Sequence, residues 1–155
     1  MPTQTPVTVG SKVPDFALRD QEGRRVRLSD FRGRKVILYF YVRDDTPGCT
    51  KQACNFRDGI EKVEERKAIV LGVSPDPVES HKRFVEKYHL PFPLLSDENA
   101  ELAKRFGVWG KKSMYGRTFH GIIRSTFIIN EDGRVEKEFR RVKADGHFDR
   151  ILKEI

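Results

Sequence analysis

The sequence predicts an α/β protein with a central mixed β-sheet flanked by helices, and three features carry this prediction. Segments that favour strands alternate with segments that favour helices, and a predicted hairpin and a C-terminal helix follow. Two continuous apolar runs, residues 36–41 and 68–73, are typical of strands buried on both faces of a sheet. At 155 residues the chain has the usual length of one domain, so we expect a single domain over residues 1–155.

The N-terminal part predicts a β-hairpin. Residues 1–12 are expected to be a mobile lead-in. Residues 16–18 form a short strand candidate, and residues 24–28 alternate polar and apolar side chains as a half-buried strand does. Glu22 and Gly23 supply a turn signal between them, which completes the hairpin. Residues 29–33 then predict a short turn of helix.

A long helix is predicted directly after the first buried strand. Thr46 is a plausible N-cap, and Pro47 occupies the first helical position, where its missing N–H costs nothing. Apolar residues then recur at spacings of three and four, at Ala53, Phe56, Ile60 and Val63. This spacing marks one buried face and predicts a single helix from about Pro47 to Arg66.

The rest of the chain predicts further elements around a basic segment. Residues 110–123 lack clear periodicity and are expected to form a basic loop. The other predicted elements, in chain order, are a helix over 77–88, a short strand over 92–95, a short helix over 99–106 closed by Gly107, a hairpin of strands over 124–129 and 134–142, and an amphipathic helix over 147–155.

The charge of the chain points away from nucleic acid. The net charge is +7, but the 30 Lys and Arg residues are interleaved with 23 Asp and Glu residues. Residues 61–67 show this alternation, which is usual for a solvated helix face with local ion pairs. Because no recognition motif accompanies the positive charge, we do not expect nucleic acid to be a partner.

The expected compartment is the cytoplasm. No stretch approaches the roughly 20 apolar residues of a membrane span, and the first residues lack the basic and apolar regions of a secretory signal. In a reducing compartment, a cysteine pair is more often catalytic or redox-active than a structural disulfide.

Cys49 and Cys54 are the only cysteines. Cys49 falls in the first turn of the predicted helix, where unpaired backbone N–H groups and the helix dipole favour an anion. A thiolate is therefore stabilised at this position and becomes a nucleophile. Cys54 follows five residues later and provides a second thiol on the same helix.

The spacing of the two thiols limits how they can bond. Five residues along an α-helix rise about 7.5 Å and turn by roughly 140°, whereas a disulfide needs Cα atoms about 4.4–6.8 Å apart. Cys49 and Cys54 therefore cannot form a disulfide while the helix is intact. Oxidation of the pair requires the first turn or two of the helix to unwind.

Three other chemistries fit the cysteine pair less well. A Cys-x-x-Cys exchanger holds its sulfurs closer together in sequence, and a structural zinc site usually needs four ligands. The histidines show no ligand spacing, at positions His81, His89, His120 and His147. A static disulfide is opposed by the helix geometry and by the compartment. These comparisons favour a thiolate that is oxidised to a sulfenic acid and then captured by the second thiol.

Several motifs of the sequence resemble those of one known protein family. Residues 46–50, Thr-Pro-Gly-Cys-Thr, together with Cys54 resemble the active site of the peroxiredoxins, in the subfamily known as peroxiredoxin Q or bacterioferritin comigratory protein. Further matching motifs cover nearly the whole chain, at residues 14–16, 72–74, 106–110, 114–116 and 121–127.

The resemblance implies a fold and a reaction. It implies a thioredoxin-like fold and a thiol-dependent peroxidase for hydrogen peroxide and small organic hydroperoxides. Cys49 would be the peroxidatic thiol and Cys54 the resolving thiol, joined in an intramolecular disulfide. Thioredoxin or a similar dithiol would return the electrons, and no metal, haem or flavin cofactor would be required. An internal resolving cysteine removes the chemical need for a dimer, so we expect a monomer.

The resemblance also implies roles for other residues. The family pattern Pro-x-x-x-Thr-x-x-Cys with a distant Arg matches at Thr46, Cys49 and Arg124, while Val42 stands where the family usually has proline. The Thr46 hydroxyl and the N–H groups of Gly48 and Cys49 would hold the peroxide. The Arg124 guanidinium would stabilise the thiolate and the leaving oxygen. The plainer alternatives are a simple N-cap for Thr46 and a surface arginine at Arg124.

Two other functions remain open from the residues alone. One is a general thiol–disulfide oxidoreductase, and the other is a redox-regulated binding protein without turnover. Consumption of peroxide over many turnovers distinguishes the peroxidase from both. Among the neighbouring residues, Asp44 and Asp45 are expected to be solvated loop carboxylates, and Phe106 and Trp109 are expected to belong to the core or a pocket wall.

Overall fold

The computed structural model describes residues 7–144 and 146–155 and has the predicted α/β architecture. The strands are β1 (Ala17–Arg19), β2 (Arg25–Arg27), β3 (Lys35–Phe40), β4 (Ala68–Ser74), β5 (Leu94–Ser96), β6 (Trp109–Met114), β7 (Arg117–Ile122), β8 (Ser125–Ile129) and β9 (Val135–Phe139). The helices are α1 (Pro47–Asp58), α2 (Ile60–Glu65), α3 (Val78–Tyr88), α4 (Glu101–Arg105) and α5 (His147–Glu154), with a 3₁₀ turn at Leu28–Phe31.

Seven strands form one mixed sheet in the order β2-β1-β5-β4-β3-β8-β9. Strand β3 lies in the interior of the sheet, parallel to β4 and antiparallel to β8. Its side chains alternate between two hydrophobic clusters, Val36, Leu38 and Phe40 on one face and Ile37 and Tyr39 on the other, and Tyr41, the next residue, joins the second cluster. The prediction that this strand is buried on both faces is therefore confirmed, and the expected N-terminal hairpin is present as β1 and β2.

The sheet brings three chain segments together at one end of its interior strands β4, β3 and β8. Phe40, the last residue of β3, pairs with Val73 of β4 and with Ser125, the first residue of β8. The loop from β3 to α1, the residues after β4 and the residue before β8 therefore meet at the same place. This register, rather than closeness in sequence, places Arg124 beside the start of α1.

The long helix expected from Pro47 to Arg66 is divided in two, so that prediction is wrong at its centre. Helix α1 ends at Asp58, and α2 begins at Ile60. The ring of Phe148, from α5, lies over Gly59 so closely that a Cβ there would be 2.0 Å from a ring carbon. Because this contact comes from the other end of the chain, the local spacing of apolar residues could not reveal it.

The expected basic loop over residues 110–123 is a β-hairpin instead. Strands β6 and β7 pair antiparallel as a separate two-stranded sheet. A two-residue turn joins them at Tyr115 and Gly116, both with positive φ, as tight hairpins require. Most side chains between residues 111 and 120 are exposed on both faces. The apolar alternation of a half-buried strand is therefore missing, which explains why the sequence predicted a loop.

The expected mobile lead-in is also corrected in part. Residues 1–6 lie outside the described residues. Val7, however, is 4% exposed, and its N–H donates to the carbonyl of Arg105 at 2.9 Å. Lys12 forms a bridge with Arg134. Residues 7–12 are thus packed onto the domain edge. Among the described residues, no helix combines the length and the apolar composition that crossing a membrane demands.

Candidate active site

Cys49 lies at the start of α1 and contacts a cation from a distant part of the chain. Its side chain is 1% exposed, and the Arg124 Nη2 group donates to Cys49 Sγ over 3.1 Å. A guanidinium at this distance favours the anionic form of the sulfur. The structure therefore brings together the two residues that the sequence proposed as nucleophile and cation, although 75 positions separate them.

Gln52 fixes the orientation of Arg124, and sequence reasoning missed it. The Arg124 Nη1 group donates to Gln52 Oε1, and Gln52 is 1% exposed on the buried face of α1. Gln52 Nε2 is buried without a hydrogen-bond partner among the described residues. A polar residue three positions after Cys49 on an otherwise apolar helix face was the available signal.

Thr46 precedes α1 but does not cap it with its side chain. Its hydroxyl donates instead to the carbonyl of Arg43 over 3.3 Å. Thr46 is therefore the N-cap residue by position, as predicted, but its side chain makes no capping hydrogen bond. The first helical hydrogen bond runs from Thr50 N to Thr46 O at 2.8 Å. The N–H groups of Gly48 and Cys49 come before this bond and have no partner within the helix. They remain available as donors to an anionic ligand.

Cys54 lies on the same helix in a different environment. It is partly exposed, and both cysteines are free thiols. Because α1 is continuous from Pro47 to Asp58, the pair is held five residues apart on intact helix. Just beyond Cys54, Phe56 is fully buried and stacks on Tyr39 with ring centroids 4.9 Å apart.

Tyr39 underlies the cysteine helix. Its ring is fully buried, and its hydroxyl has no hydrogen-bond partner among the described residues. Burial raises the pKa of Tyr39 well above its usual value, and the nearby charge of Cys49 adds to the effect. Tyr39 therefore stays neutral and contributes an uncharged hydroxyl below the site.

A cationic cleft of ≈ 460 Å³ opens beside Arg124. Its cationic side chains are Lys111, Lys112, Arg124 and Arg141, and its apolar lining comes from Val42, Ile123 and Val142. Burial, and then the charge of Arg124, lower the pKa of Lys112, whose Nζ donates to the carbonyl of Ile122 at 2.8 Å. The β6–β7 hairpin thus forms one wall of a cleft beside Arg124, the residue that contacts the Cys49 sulfur.

The neighbouring aspartates differ, and the expectation that both are solvated is wrong for Asp44. Asp45 is exposed and binds Lys87 and Tyr88 of α3. Asp44 is 9% exposed and is hydrogen-bonded by Tyr41, Ser80 and His81. Its partners come from the residue after β3 and from α3, so nothing in the local sequence marked it as buried.

Asp44, Asp76 and His81 also carry atoms of the kind that bind metals, all within 4.8 Å of one another. These atoms already have protein partners. Asp76 Oδ2, for example, accepts hydrogen bonds from the Asp44 N–H and the Ser74 hydroxyl, each over 2.8 Å. The arrangement is a hydrogen-bonded cluster that braces the loop between β3 and α1.

A family profile and the sequences of known proteins both match most of this chain. The profile of the AhpC/TSA family matches residues 9–138. Peroxiredoxin Bcp of Bacillus subtilis is 48% identical over 141 residues, which are 91% of this chain and 90% of that protein. Peroxiredoxin Bcp of Escherichia coli is 45% identical over 147 residues, covering 95% of this chain and 94% of the relative.

Solved structures agree with this result. A cysteine-to-serine mutant of PrxQ from Xylella fastidiosa superposes with a TM-score of 0.92 at 35% identity, covering 97% of this chain and 96% of that one. The bacterioferritin comigratory protein of Xanthomonas campestris, described for its alkyl peroxide reduction activity, gives a TM-score of 0.85 at 37% identity, covering 90% and 88%. The thioredoxin-like fold expected from the sequence is confirmed, and the chain belongs to the AhpC/TSA family, among the Bcp/PrxQ peroxiredoxins.

Proposed function

We propose that this peroxiredoxin reduces hydrogen peroxide and small organic hydroperoxides with Cys49 as the peroxidatic thiol and Cys54 as the resolving thiol. The observation that carries the proposal is the 3.1 Å contact from the Arg124 guanidinium to the buried Cys49 sulfur. This contact lies at a helix start, where N–H groups also point at the site. The combination stabilises a thiolate and the negative charge that forms on a leaving oxygen.

In the first step, the Cys49 thiolate attacks one oxygen of the hydroperoxide. A sulfur–oxygen bond forms, the oxygen–oxygen bond breaks, and Cys49 becomes a sulfenic acid. The leaving oxygen departs as hydroxide or alkoxide and takes up a proton to give water or an alcohol. Arg124, the Thr46 hydroxyl and the N–H groups of Gly48 and Cys49 are the donors placed to stabilise this developing charge.

In the second step, the thiol of Cys54 attacks the sulfenic sulfur of Cys49. A disulfide forms, and the hydroxyl group leaves as water after protonation. Because α1 is intact through both residues, its first turns must unwind before the two sulfurs can meet. Disulfide formation is therefore coupled to a local conformational change.

In the third step, a dithiol protein such as thioredoxin reduces the disulfide by thiol–disulfide exchange. Two electrons pass to the cysteine pair, and both thiols are restored. We further propose that the chain works as a single-domain monomer in a reducing, cytoplasmic compartment, without a metal, haem or flavin. The presence of both thiols on one helix supports this, since no second chain is needed to resolve the sulfenic acid.

The test is peroxide consumption over many turnovers with a thioredoxin system. Cys49→Ser should abolish consumption, because it removes the attacking sulfur. Cys54→Ser should complete one oxidation and then stall as a sulfenic acid or a more oxidised form, detected by mass spectrometry. Turnover retained in Cys49→Ser would overturn the assignment. Disulfide exchange without peroxide consumption would indicate the general oxidoreductase instead.

A further inference from the structure

The carboxylate of Asp44 is surrounded by donors although it lies in a loop. Asp44 Oδ1 accepts a hydrogen bond from the Tyr41 hydroxyl over 2.5 Å. Asp44 Oδ2 accepts one from the Ser80 hydroxyl over 2.7 Å and lies 2.7 Å from His81 Nδ1. The side chains of His81 and Asp44 are only 0% and 4% exposed. The loop between β3 and α1 is thereby fastened to helix α3 inside the protein.

His81 connects the Asp44 carboxylate to the Leu95 carbonyl through its two ring nitrogens. His81 Nε2 lies 3.0 Å from the carbonyl of Leu95, and because a carbonyl can only accept, Nε2 must carry a hydrogen. His81 Nδ1 and Asp44 Oδ2 would repel at 2.7 Å unless a second proton lay between them. The contact is therefore a hydrogen bond that joins helix α3 to the loop. Burial, together with the charge of Asp44, raises the pKa of Tyr41 well above its usual value, so Tyr41 remains a donor.

The backbone of Asp44 is held as firmly as its side chain. The Asp44 N–H donates to Asp76 Oδ2 over 2.8 Å, and the Ser74 hydroxyl donates to the same oxygen. Ser96 adds a hydrogen bond to the carbonyl of Asp76 at 2.6 Å. The loop between β3 and α1 is therefore also hydrogen-bonded to Asp76, which Ser74 of β4 and Ser96 of β5 hold in place.

This cluster lies two residues before Thr46. Asp45, the residue between them, has φ +60°, so the chain turns sharply there. The turn is closed by the hydrogen bond from the Thr46 hydroxyl to the Arg43 carbonyl. In such a tight turn, a displacement of Asp44 carries Thr46 and the first N–H groups of α1 with it.

We propose that Asp44 is a positioning residue for peroxide reduction: its buried hydrogen bonds to Tyr41, Ser80 and His81 hold Thr46 and the first N–H groups of α1 where the transition state needs them. This inference rests on the proposed function of Cys49. It assigns to helix α3 a part in the chemistry, although none of the donors proposed for the peroxide belongs to α3.

Asp45 provides the matched control, because it fastens the same loop to the same helix from outside. Its carboxylate binds Lys87 at 2.7 Å and Tyr88 at 2.8 Å, but the two charged side chains are 43% and 57% exposed. Exposed ion pairs contribute little. Asparagine tolerates positive φ better than most residues, so Asp45→Asn removes the charge without straining the turn.

The experiment measures two rate constants of reduced Cys49, with hydrogen peroxide and with iodoacetamide. Alkylation requires the thiolate but not the donors that stabilise a leaving peroxide oxygen. Asp44→Ala should lower the peroxide rate constant on the order of 10- to 100-fold, since small misplacements of catalytic groups cost this much. The iodoacetamide rate constant should change less than about threefold if the thiolate itself is unaffected.

A conservative replacement should rescue the reaction. In Asp44→Asn, the side-chain amide can donate to neutral His81 Nδ1 while its oxygen accepts from Tyr41. We expect its peroxide rate constant to recover to within about fivefold of the native value, with Asp45→Asn near native, because the loop geometry is kept. If Asp44→Ala fails to fold by circular dichroism, Tyr41→Phe and Ser80→Ala, which each remove one donor, take its place with smaller losses in the peroxide rate alone.

Three outcomes would overturn the proposal. The first is that Asp44→Ala lowers the rate constants with hydrogen peroxide and with iodoacetamide equally. The second is that the peroxide rate constant of Asp44→Ala stays within twofold of native. The third is that Asp44→Asn reacts with peroxide as slowly as Asp44→Ala. Failure of the proposed function is distinguishable, because the native protein would then consume no peroxide or would consume it without Cys49.

Discussion

Cys49 and Cys54 share one helix, but their surroundings are opposite in kind. Cys49 is 1% exposed and receives a hydrogen bond from Arg124. Cys54 is partly exposed, and among the described residues no hydrogen bond to its sulfur is present. The difference arises because Cys49 lies on the buried face of α1 and Arg124, the residue before β8, contacts it. The comparison shows that a helix start alone stabilises a thiolate only in part, and that a cation distant in sequence adds to this stabilisation.

The largest expected effect comes from removing that cation. Arg124→Met should lower the rate constant of Cys49 with hydrogen peroxide on the order of 10²- to 10³-fold, the usual cost of losing a donor that stabilises developing charge. Stopped-flow measurement under single-turnover conditions checks this. Arg117→Met, on the exposed hairpin, is the matched control and should remain near native. Equal rates in the two variants would remove Arg124 from the site and erase the contrast between the cysteines.

A smaller effect is expected at Gln52, which orients Arg124 without touching the sulfur. Gln52→Leu should slow the peroxide reaction roughly tenfold through loss of this orientation, while Gln52→Glu, which keeps an acceptor for Arg124, should retain more activity than Gln52→Leu. The free energy of unfolding should change little, because the leucine also removes the unpartnered Nε2 group. A Gln52→Leu variant with native kinetics would show that the guanidinium needs no such support.

Oxidation should affect the two ends of α1 differently. Disulfide formation must unwind the segment that carries the cysteines, whereas Phe56 is held by Tyr39, Phe92 and Phe148 at 4.9, 6.4 and 5.6 Å between ring centroids. Hydrogen exchange should therefore accelerate in the oxidised protein at residues 50–54, whose N–H groups are the first to bond within α1, and should stay slow beyond Phe56. Equal protection in both redox forms, with the disulfide confirmed by mass, would contradict the need for unwinding.

The smallest effect concerns α5, which packs against the far end of α1. Burial, and then Arg150, lower the pKa of His147 to about 4, below the usual value near 6.5. As the pH falls from about 6.5 toward 4, the unfolded chain binds a proton that the folded chain does not. The free energy of unfolding should therefore fall by about 2 kcal/mol over this window.

Urea titrations at pH 7 and pH 4.5 measure this loss. His147→Asn can still meet the Thr126 hydroxyl, which lies 2.7 Å from His147 Nε2, and should show a flatter dependence. A variant with the native pH dependence would assign the loss to other groups.

Local patterns in the sequence were enough to predict the central strands and the start of α1. The apolar run of β3 and the Thr46-Pro47 signal depend on residues close together in the chain, and the structure has both features. The break at Gly59 and the burial of Asp44 depend instead on Phe148 and on His81, which arrive from other elements. The hairpin β6–β7 escaped prediction for another reason, since its exposed side chains carry no hydrophobic period.

The residues of the candidate active site show the same division between local and distant signals. Cys49, Cys54 and Thr46 belong to one short motif, and Arg124 was found through the resemblance of a second motif. Gln52 and Asp44 were missed because the role of each polar side chain becomes evident only from its hydrogen bonds to residues distant in sequence. Polar residues on buried faces are therefore the positions where a sequence pattern reveals least about the role of a side chain.

The break at Gly59 has a consequence for the energy of each catalytic cycle. Helix formation is cooperative, and a helix of about 12 residues is only marginally stable by itself. Because α1 ends at Asp58, the turns that must open are not reinforced by the hydrogen bonds of α2. Replacing Gly59 and Phe148 together so that the two helices fuse would lengthen the cooperative segment. The sulfenic acid would then persist longer before capture, and a second peroxide would inactivate the enzyme more often.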